Sequence, residues 1–292
     1  MRRNSLAATT LIALVSVACE RNDNASPARV PPSSGGANVS DIQSNERTTH
    51  GCTAEPFDNE NTSRRRAWLM DSIRRSERVS ERVLSSMRRV PRHMFVPQDR
   101  HDRAYDDAPL TIGYGQTISQ PTVVALMTDA LHPTSDDVVL EVGTGSGYQA
   151  AVLSRMVKRV ETIEIVEPLA AHAREALRKI GCANVNVHVG DGYQGLPQLA
   201  PFDGIIVTAA PPEVPTKLVQ QLKEGGRMVL PVGPRLGVQE LVLIRKMPGG
   251  VLKRTRGSAP ARRAGDGRLP HAEPRVFRHQ TTDDSPRTRT PC

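Results

Sequence analysis

Glu141, Gly143, Gly145 and Gly147 are gathered at the end of the apolar run Val138-Val139-Leu140-Glu141-Val142. Glycines after a buried strand let the backbone turn tightly and bring a ligand against the amides of the next helix. A dinucleotide fingerprint needs G-x-G-x-x-G. Here the spacing is G-x-G-x-G, and Tyr148 stands where the third glycine of that pattern would fall. S-adenosylmethionine (SAM) has no pyrophosphate and carries a cationic amino group and a sulfonium. A carboxylate beside the loop suits it, so the residues favour SAM over a nicotinamide dinucleotide. The bland alternative is a tight structural turn.

Two further acids sharpen this reading. Glu164 closes the run Thr162-Ile163-Glu164-Ile165, about 20 residues past the loop, where an acid can accept from ribose hydroxyls. Asp191, in Gly190-Asp191-Gly192, follows a third apolar run and could bond an adenine amino group. Either could instead be a surface acid or a cap. Three acids at successive strand ends lie where doubly wound sheets bind ligands.

The elements that must hold these residues are legible in the periodicity. Strands are expected at 138–142, 160–165, 185–189, 204–207 and 228–232, with a sixth at 241–245. Helices are expected at 149–157, at 168–180 with Pro168 at its start, and near 215–222. This alternation predicts an α/β fold, a doubly wound and mostly parallel Rossmann-like sheet. Before it, Trp68, Leu69, Ile73, Val79, Val83, Leu84 and Met87 are spaced for one or two amphipathic helices. The many arginines around them read as a solvated face.

Composition bounds the rest. The 292 residues carry a formal net charge of +8 and only 3% aromatic residues, so the core must be aliphatic. Residues 104–246 hold 12 lysines and arginines against 15 aspartates and glutamates, a net of −3. The positive excess thus sits in the flanks, which argues against a nucleic-acid enzyme. Cys19, Cys52, Cys182 and Cys292 show no ligand spacing, so neither a metal site nor a disulfide is implied, and Cys182 reads as a small buried apolar residue. Residues 1–19 resemble a secretory signal: Arg2 and Arg3, the apolar run from Leu6 to Val17, then Ala18-Cys19, a candidate lipid-anchor site if the chain is exported. Residues 20–63 read as a disordered linker, 64–250 as the folded domain, and 251–292 as a basic disordered tail with 10 basic against 4 acidic residues.

With these residues in view, the chain resembles the protein-L-isoaspartate O-methyltransferase family over roughly residues 65–246. The likeness is carried by the loop from Leu140 to Tyr148, by Val90-Pro91-Arg92-His93-Met94-Phe95-Val96-Pro97, by Gly115-Gln116-Thr117-Ile118-Ser119-Gln120-Pro121 and by Pro201 to Pro211. Gly225-Gly226-Arg227 and Leu230-Pro231-Val232-Gly233 extend it. The resemblance implies methyl transfer from SAM to the carboxylate of isoaspartyl residues in damaged proteins, by a monomeric cytoplasmic enzyme without a metal. It places the active-site serine at Ser119, with Thr117 and Ile118 lining the cleft. Glu141, Gly143, Gly145 and Ser146 become loop contacts, Glu164 and Ile165 ribose-side contacts, and Asp191 and Gly192 adenine contacts. Thr208 and Ala209 border the transferable methyl, and Gln239 lies near the cleft. Ser119 could also simply cap the helix starting near Pro121. After about Lys246 the likeness stops. A frameshift would produce that loss, as would a genuine basic extension, and a missing last strand would leave a sheet edge open.

Overall fold

Local chemistry starts the first helix where the sequence changes character. The computed structural model describes Cys52, Ala54 and residues 57–234 and 239–256. The signal-like segment, the linker up to residue 51 and the tail after Arg256 lie outside the described residues. Helix α1 (Glu60–Ser76) opens on a capping box: Asn59 Oδ1 accepts from the Thr62 amide, and Thr62 Oγ1 accepts from the Asn59 amide, both at 2.9 Å. Its apolar stripe of Leu69, Met70 and Ile73 is buried, as are Val83, Leu84 and Met87 of α2 (Glu81–Arg89).

Not every arginine here faces water, contrary to expectation. Arg66 is 6% exposed and bonds the Asp58 carboxylate, the Tyr105 hydroxyl and the Arg88 carbonyl. Arg92 is fully buried, its guanidinium 5.0 Å from the Tyr148 ring centre and its Nε donating to the Ala104 carbonyl. Partners inside the fold, invisible in linear spacing, explain both.

A short antiparallel hairpin follows, β1 (Leu110–Gly113) and β2 (Gln116–Ile118), which strand periodicity had not signalled. Helix α3 (Pro121–Leu131) then leads into β3 (Val138–Val142), α4 (Tyr148–Ser154), β4 (Arg159–Glu164), α5 (Glu167–Lys179) and β5 (Val185–Val189). The chain returns through β6 (Phe202–Val207), α6 (Thr216–Gln221), β7 (Leu222–Val232) and β8 (Glu240–Lys246). Strand order in the main sheet is β5-β4-β3-β6-β7-β8-β9, parallel from β5 through β7 and antiparallel thereafter.

Along β3, Val139 faces one apolar cluster while Leu140 and Val142 face the other, so the sheet is covered on both sides. Order reverses between β3 and β6. That is the switch point at which doubly wound sheets open a ligand crevice beyond their carboxyl ends.

Two expectations need correction. The last strand, β9 (Leu252–Arg256), lies in the segment read as a structureless tail, and it pairs antiparallel with β8. Its lysine and arginines hide it from a hydrophobic pattern, because an edge strand can carry charge on its open side. Likewise, Cys182 is not a free buried thiol. It is joined to Cys52, with Cα atoms 4.5 Å apart, and Cys52 is completely buried although it falls in the presumed linker. A separation of 130 residues conceals that the segment before α1 and the turn after α5 meet in space.

Closing so long a loop restricts the unfolded chain, by about 2–4 kcal/mol for typical bridges. Reduction, or Cys182→Ser, is therefore expected to lower Tm by about 5–10 °C at this domain size, as calorimetry would show.

Candidate active site

The carboxyl ends of the strands deliver the acids to one rim. Glu141 is the penultimate residue of β3, Glu164 the last of β4, Asp191 follows β5 by two residues and Thr208 follows β6 by one. Gln239 stands just before β8, whose Glu240 pairs with Val232 at the same end of β7. Helix α3 packs on β6 and β7 with its last residue, Leu131, beside Gly204 near the start of β6, so its first residues, with Ser119, lie towards this rim. The hairpin reaches the rim directly: Ile112 would lie 3.7 Å from a Cβ built on Gly145.

The glycine loop is shaped by close approach. A Cβ at Gly143 would sit 2.5 Å from Thr208 Oγ1, and one at Gly192 would sit 2.5 Å from Val142 Cγ1. Thr208 uses that proximity to donate its hydroxyl to the Gly143 carbonyl at 2.6 Å. Gly147, at φ +89°, starts α4 in a conformation that L side chains rarely adopt, while its face touches Ala173 and Leu177 of α5. Thr144 Oγ1 lies 2.7 Å from Thr162 Oγ1, tying the loop to β4. Ser146 is half-buried and accepts from the Tyr148 amide.

Glu164 does more than wait for a sugar. Its Oε2 accepts the Gly145 amide at 2.7 Å and its Oε1 accepts the Val166 amide at 3.0 Å, so the carboxylate itself holds the loop. Asp191 is exposed and accepts from the Tyr193 amide and the Gln194 side chain, the turn-capping arrangement foreseen as its alternative. Around these strand ends Ile165, Val189 and Tyr193 are each about half exposed, an apolar wall beside two acids.

Glu141 is the electrostatic singularity. It is fully buried and neither carboxylate oxygen has a hydrogen-bond partner among the described residues. Burial, aided by the nearby Glu164 carboxylate and opposed by the Thr162 hydroxyl, pushes its pKa up to about 8. An unpaired buried acid beside a glycine loop fits a cationic ligand group. Gln239 is 3% exposed and both its side-chain polar atoms likewise lack partners.

The start of α3 bears on the capping reading of Ser119. The N-cap of α3 is Gln120, and no side chain of the cap residue closes the helix. Asp107 instead accepts the Thr122 amide at 2.9 Å and the Thr122 and Gln120 side chains. Ser119 is half-buried and makes no hydrogen bond among the described residues, so its hydroxyl is left for something else. Thr117 is half-buried in the same hairpin strand, and Ile118 is buried.

Sequence reasoning passed over Asp107, and over Arg92, which donates to the Ala104 carbonyl and stacks on the residue that opens α4. Only the Val90–Pro97 stretch hinted at Arg92; nothing marked Asp107. Among the described residues no group of three histidines, cysteines or acids could hold a metal ion.

A Rossmann-like sheet with a glycine loop at its switch point, a buried acid beside that loop and acids on the next strand ends defines a SAM-dependent methyltransferase. The model of the protein-L-isoaspartate(D-aspartate) O-methyltransferase family matches residues 64–258, past the point where the likeness was expected to end. A Nitrosococcus oceani protein-L-isoaspartate O-methyltransferase 2 is 58% identical over 170 residues, covering 58% of this chain and 77% of the relative. The Opitutus terrae protein-L-isoaspartate O-methyltransferase is 49% identical over 199 residues, 68% of this chain and 85% of its own. A solved protein-L-isoaspartate O-methyltransferase superposes with a TM-score of 0.58 at 30% identity, covering 68% of this chain and 66% of its own. The fold also matches a Plasmodium falciparum structure solved with S-adenosyl-L-homocysteine, at TM-score 0.56 and 24% identity, covering 68% and 95% of the two chains. The chain belongs to the protein-L-isoaspartate(D-aspartate) O-methyltransferase family, the repair enzymes that methylate isoaspartyl carboxylates.

The Glu141 carboxyl has a definite pH signature. Its folded pKa lies above the ordinary carboxylate value, so its stabilising contribution is full below about pH 4.5 and is lost as pH rises through about 8. Glu141→Gln should flatten that loss in melts between pH 5 and 9. A charge-assisted hydrogen bond is worth about 1.5–3 kcal/mol, so the same variant should bind SAM roughly 10- to 100-fold more weakly, with an affinity that no longer rises towards pH 8 in calorimetric titrations.

Proposed function

We propose that Ser119 is the residue that positions the isoaspartyl carboxylate, and that the strand-end acids hold SAM against it. The observation that carries this reading is the uncommitted Ser119 hydroxyl: Asp107 performs the capping that would otherwise explain a serine before α3. A carboxylate is ionised at neutral pH and is already nucleophilic, so the site needs alignment more than a base. When bound, SAM supplies a methyl group activated by its sulfonium.

Each chain residue then has a defined task. Glu141 faces the cationic amino group and replaces its lost hydration. Gly143, Gly145 and Ser146 leave room for the ligand to approach the loop backbone. Glu164, already fixed by two amides, offers its remaining lone pairs to ribose hydroxyls. Asp191 and Gly192 border the adenine, with Ile165 contributing apolar cover. Thr208 and Ala209 flank the methyl, and Gln239 closes the far side of the cleft. Thr117 and Ile118 carry the hairpin strand that delivers Ser119. The ester formed on the isoaspartyl carboxylate can close to a succinimide and reopen partly as aspartate.

Ser119→Ala should lower kcat for an isoaspartyl peptide by about 10²-fold or more at unchanged Tm, in line with loss of a positioned hydrogen-bond donor. Near-normal turnover of that variant would remove Ser119 from the mechanism. Labelled-methyl transfer to paired peptides should mark the isoaspartyl member and spare its aspartyl twin. Equal labelling would defeat the substrate assignment.

For location, SAM supply favours the cytoplasm, and we read the chain as a monomer. No helix among the described residues is long and apolar enough to cross a membrane. One observation favours the alternative of export with a lipid on Cys19: the Cys52–Cys182 bond, a linkage that persists in oxidising compartments. Fractionation of a tagged full-length chain, with peptide mapping under non-reducing conditions, separates the two.

A further inference from the structure

Arg82, Arg89 and Arg155 converge on one cavity of about 190 Å³, together with Ser85, Ser86 and Met156. Among the described residues no carboxylate lines it. None of the three arginines forms an ion pair among the described residues. Two acids of this region are already engaged: Glu81 pairs with Arg74, and Asp71 with Arg74 and Arg88. Unpaired guanidiniums facing one hollow repel each other. Arg155 shows the result, since burial and the charge of Arg89 hold its pKa below the ordinary arginine value.

Two of the three groups are also fixed in place. Arg82 donates Nη1 to the Pro133 carbonyl and Nη2 to the Met156 carbonyl at 2.8 Å, and Arg155 donates Nη1 to the Cys52 carbonyl. A guanidinium anchored by neutral carbonyls keeps its positive charge and loses its freedom, which is the preorganisation an anion site needs. Arg89 and the exposed Ser85 share the outer face of α2 with Arg82, three and four residues apart.

The pocket is remote from the cleft. Pro133 precedes β3, while Arg155 and Met156 precede β4, so it lies at the amino ends of the strands, opposite the glycine loop. Its volume falls below that of ordinary small-molecule sites and suits a single compact anionic group.

We propose that Arg82, Arg89 and Arg155 form a binding site for a phosphate group, separate from the methyl-transfer cleft. Guanidinium forks match phosphate oxygens in a way that monovalent chloride cannot reproduce. The group could be carried by free phosphate or by a phospholipid headgroup.

The test uses the full chain with inorganic phosphate. Phosphate at millimolar concentration should raise Tm by a few degrees over chloride at matched ionic strength, and titration should give one site. Arg89→Gln and Arg155→Gln should each weaken binding at least tenfold while leaving isoaspartyl methylation unchanged. Arg89→Lys, which keeps the charge but not the fork, should bind more tightly than Arg89→Gln and more weakly than the parent chain, and Arg75→Gln, an equal change of charge elsewhere, should have no effect. Co-flotation with phosphatidylglycerol vesicles but not phosphatidylcholine, lost in the same two variants, would assign the phosphate to a lipid. Phosphate binding without flotation would assign it to a soluble ion. An equal Tm rise in chloride, or binding that survives both glutamine variants, would overturn the site.

Discussion

A hydroxyl packed where a side chain would otherwise stand shapes the functional end of this molecule. Thr208, at the end of β6, reaches across the switch point and bonds the carbonyl of Gly143. That contact exists only because residue 143 has no Cβ; an added carbon would lie 2.5 Å from the Thr208 oxygen. The close approach locks the first turn of the loop to the neighbouring strand. Glu164 locks the second turn through the Gly145 amide, and Thr144 and Thr162 join loop to strand between them. The loop is therefore held from three sides, and the buried carboxyl beside it, Glu141, has no hydrogen-bond partner among the described residues.

The hairpin side of the rim depends on a different support. Ser119 stands between a hairpin that leans on the glycine loop and a helix whose start is held by Asp107. Arg92 secures the segment leading to that hairpin and stacks on Tyr148, the first residue after the loop. The glycine loop and the hairpin are thus braced against the same buried guanidinium. With burial lowering its pKa to about 10, Arg92 is costly to bury, and its two carbonyl contacts and ring contact offset part of that cost.

The two ends of the sheet have opposite electrostatic characters. Carboxyl ends gather Glu141, Glu164 and Asp191, while Arg82, Arg89 and Arg155 meet at the amino ends without an ion-pair partner among the described residues.

Much of this was readable from residue order. Strand and helix positions from Val138 to Lys246 follow from periodicity, because a sheet buried on both faces demands uninterrupted apolar runs. The glycine spacing, its preceding acid and the strand-end acids named the cofactor class, since those features are local. Tertiary structure alone decided the rest. It showed Glu164 bracing the loop, Asp107 relieving Ser119 of the cap, Arg66 and Arg92 turned inward, Leu252–Arg256 added as a charged edge strand, and Cys52 bound to Cys182. Each of these joins residues far apart in the chain or at the sheet's edge. Periodicity reports which face of an element is buried, but not which distant group it meets there.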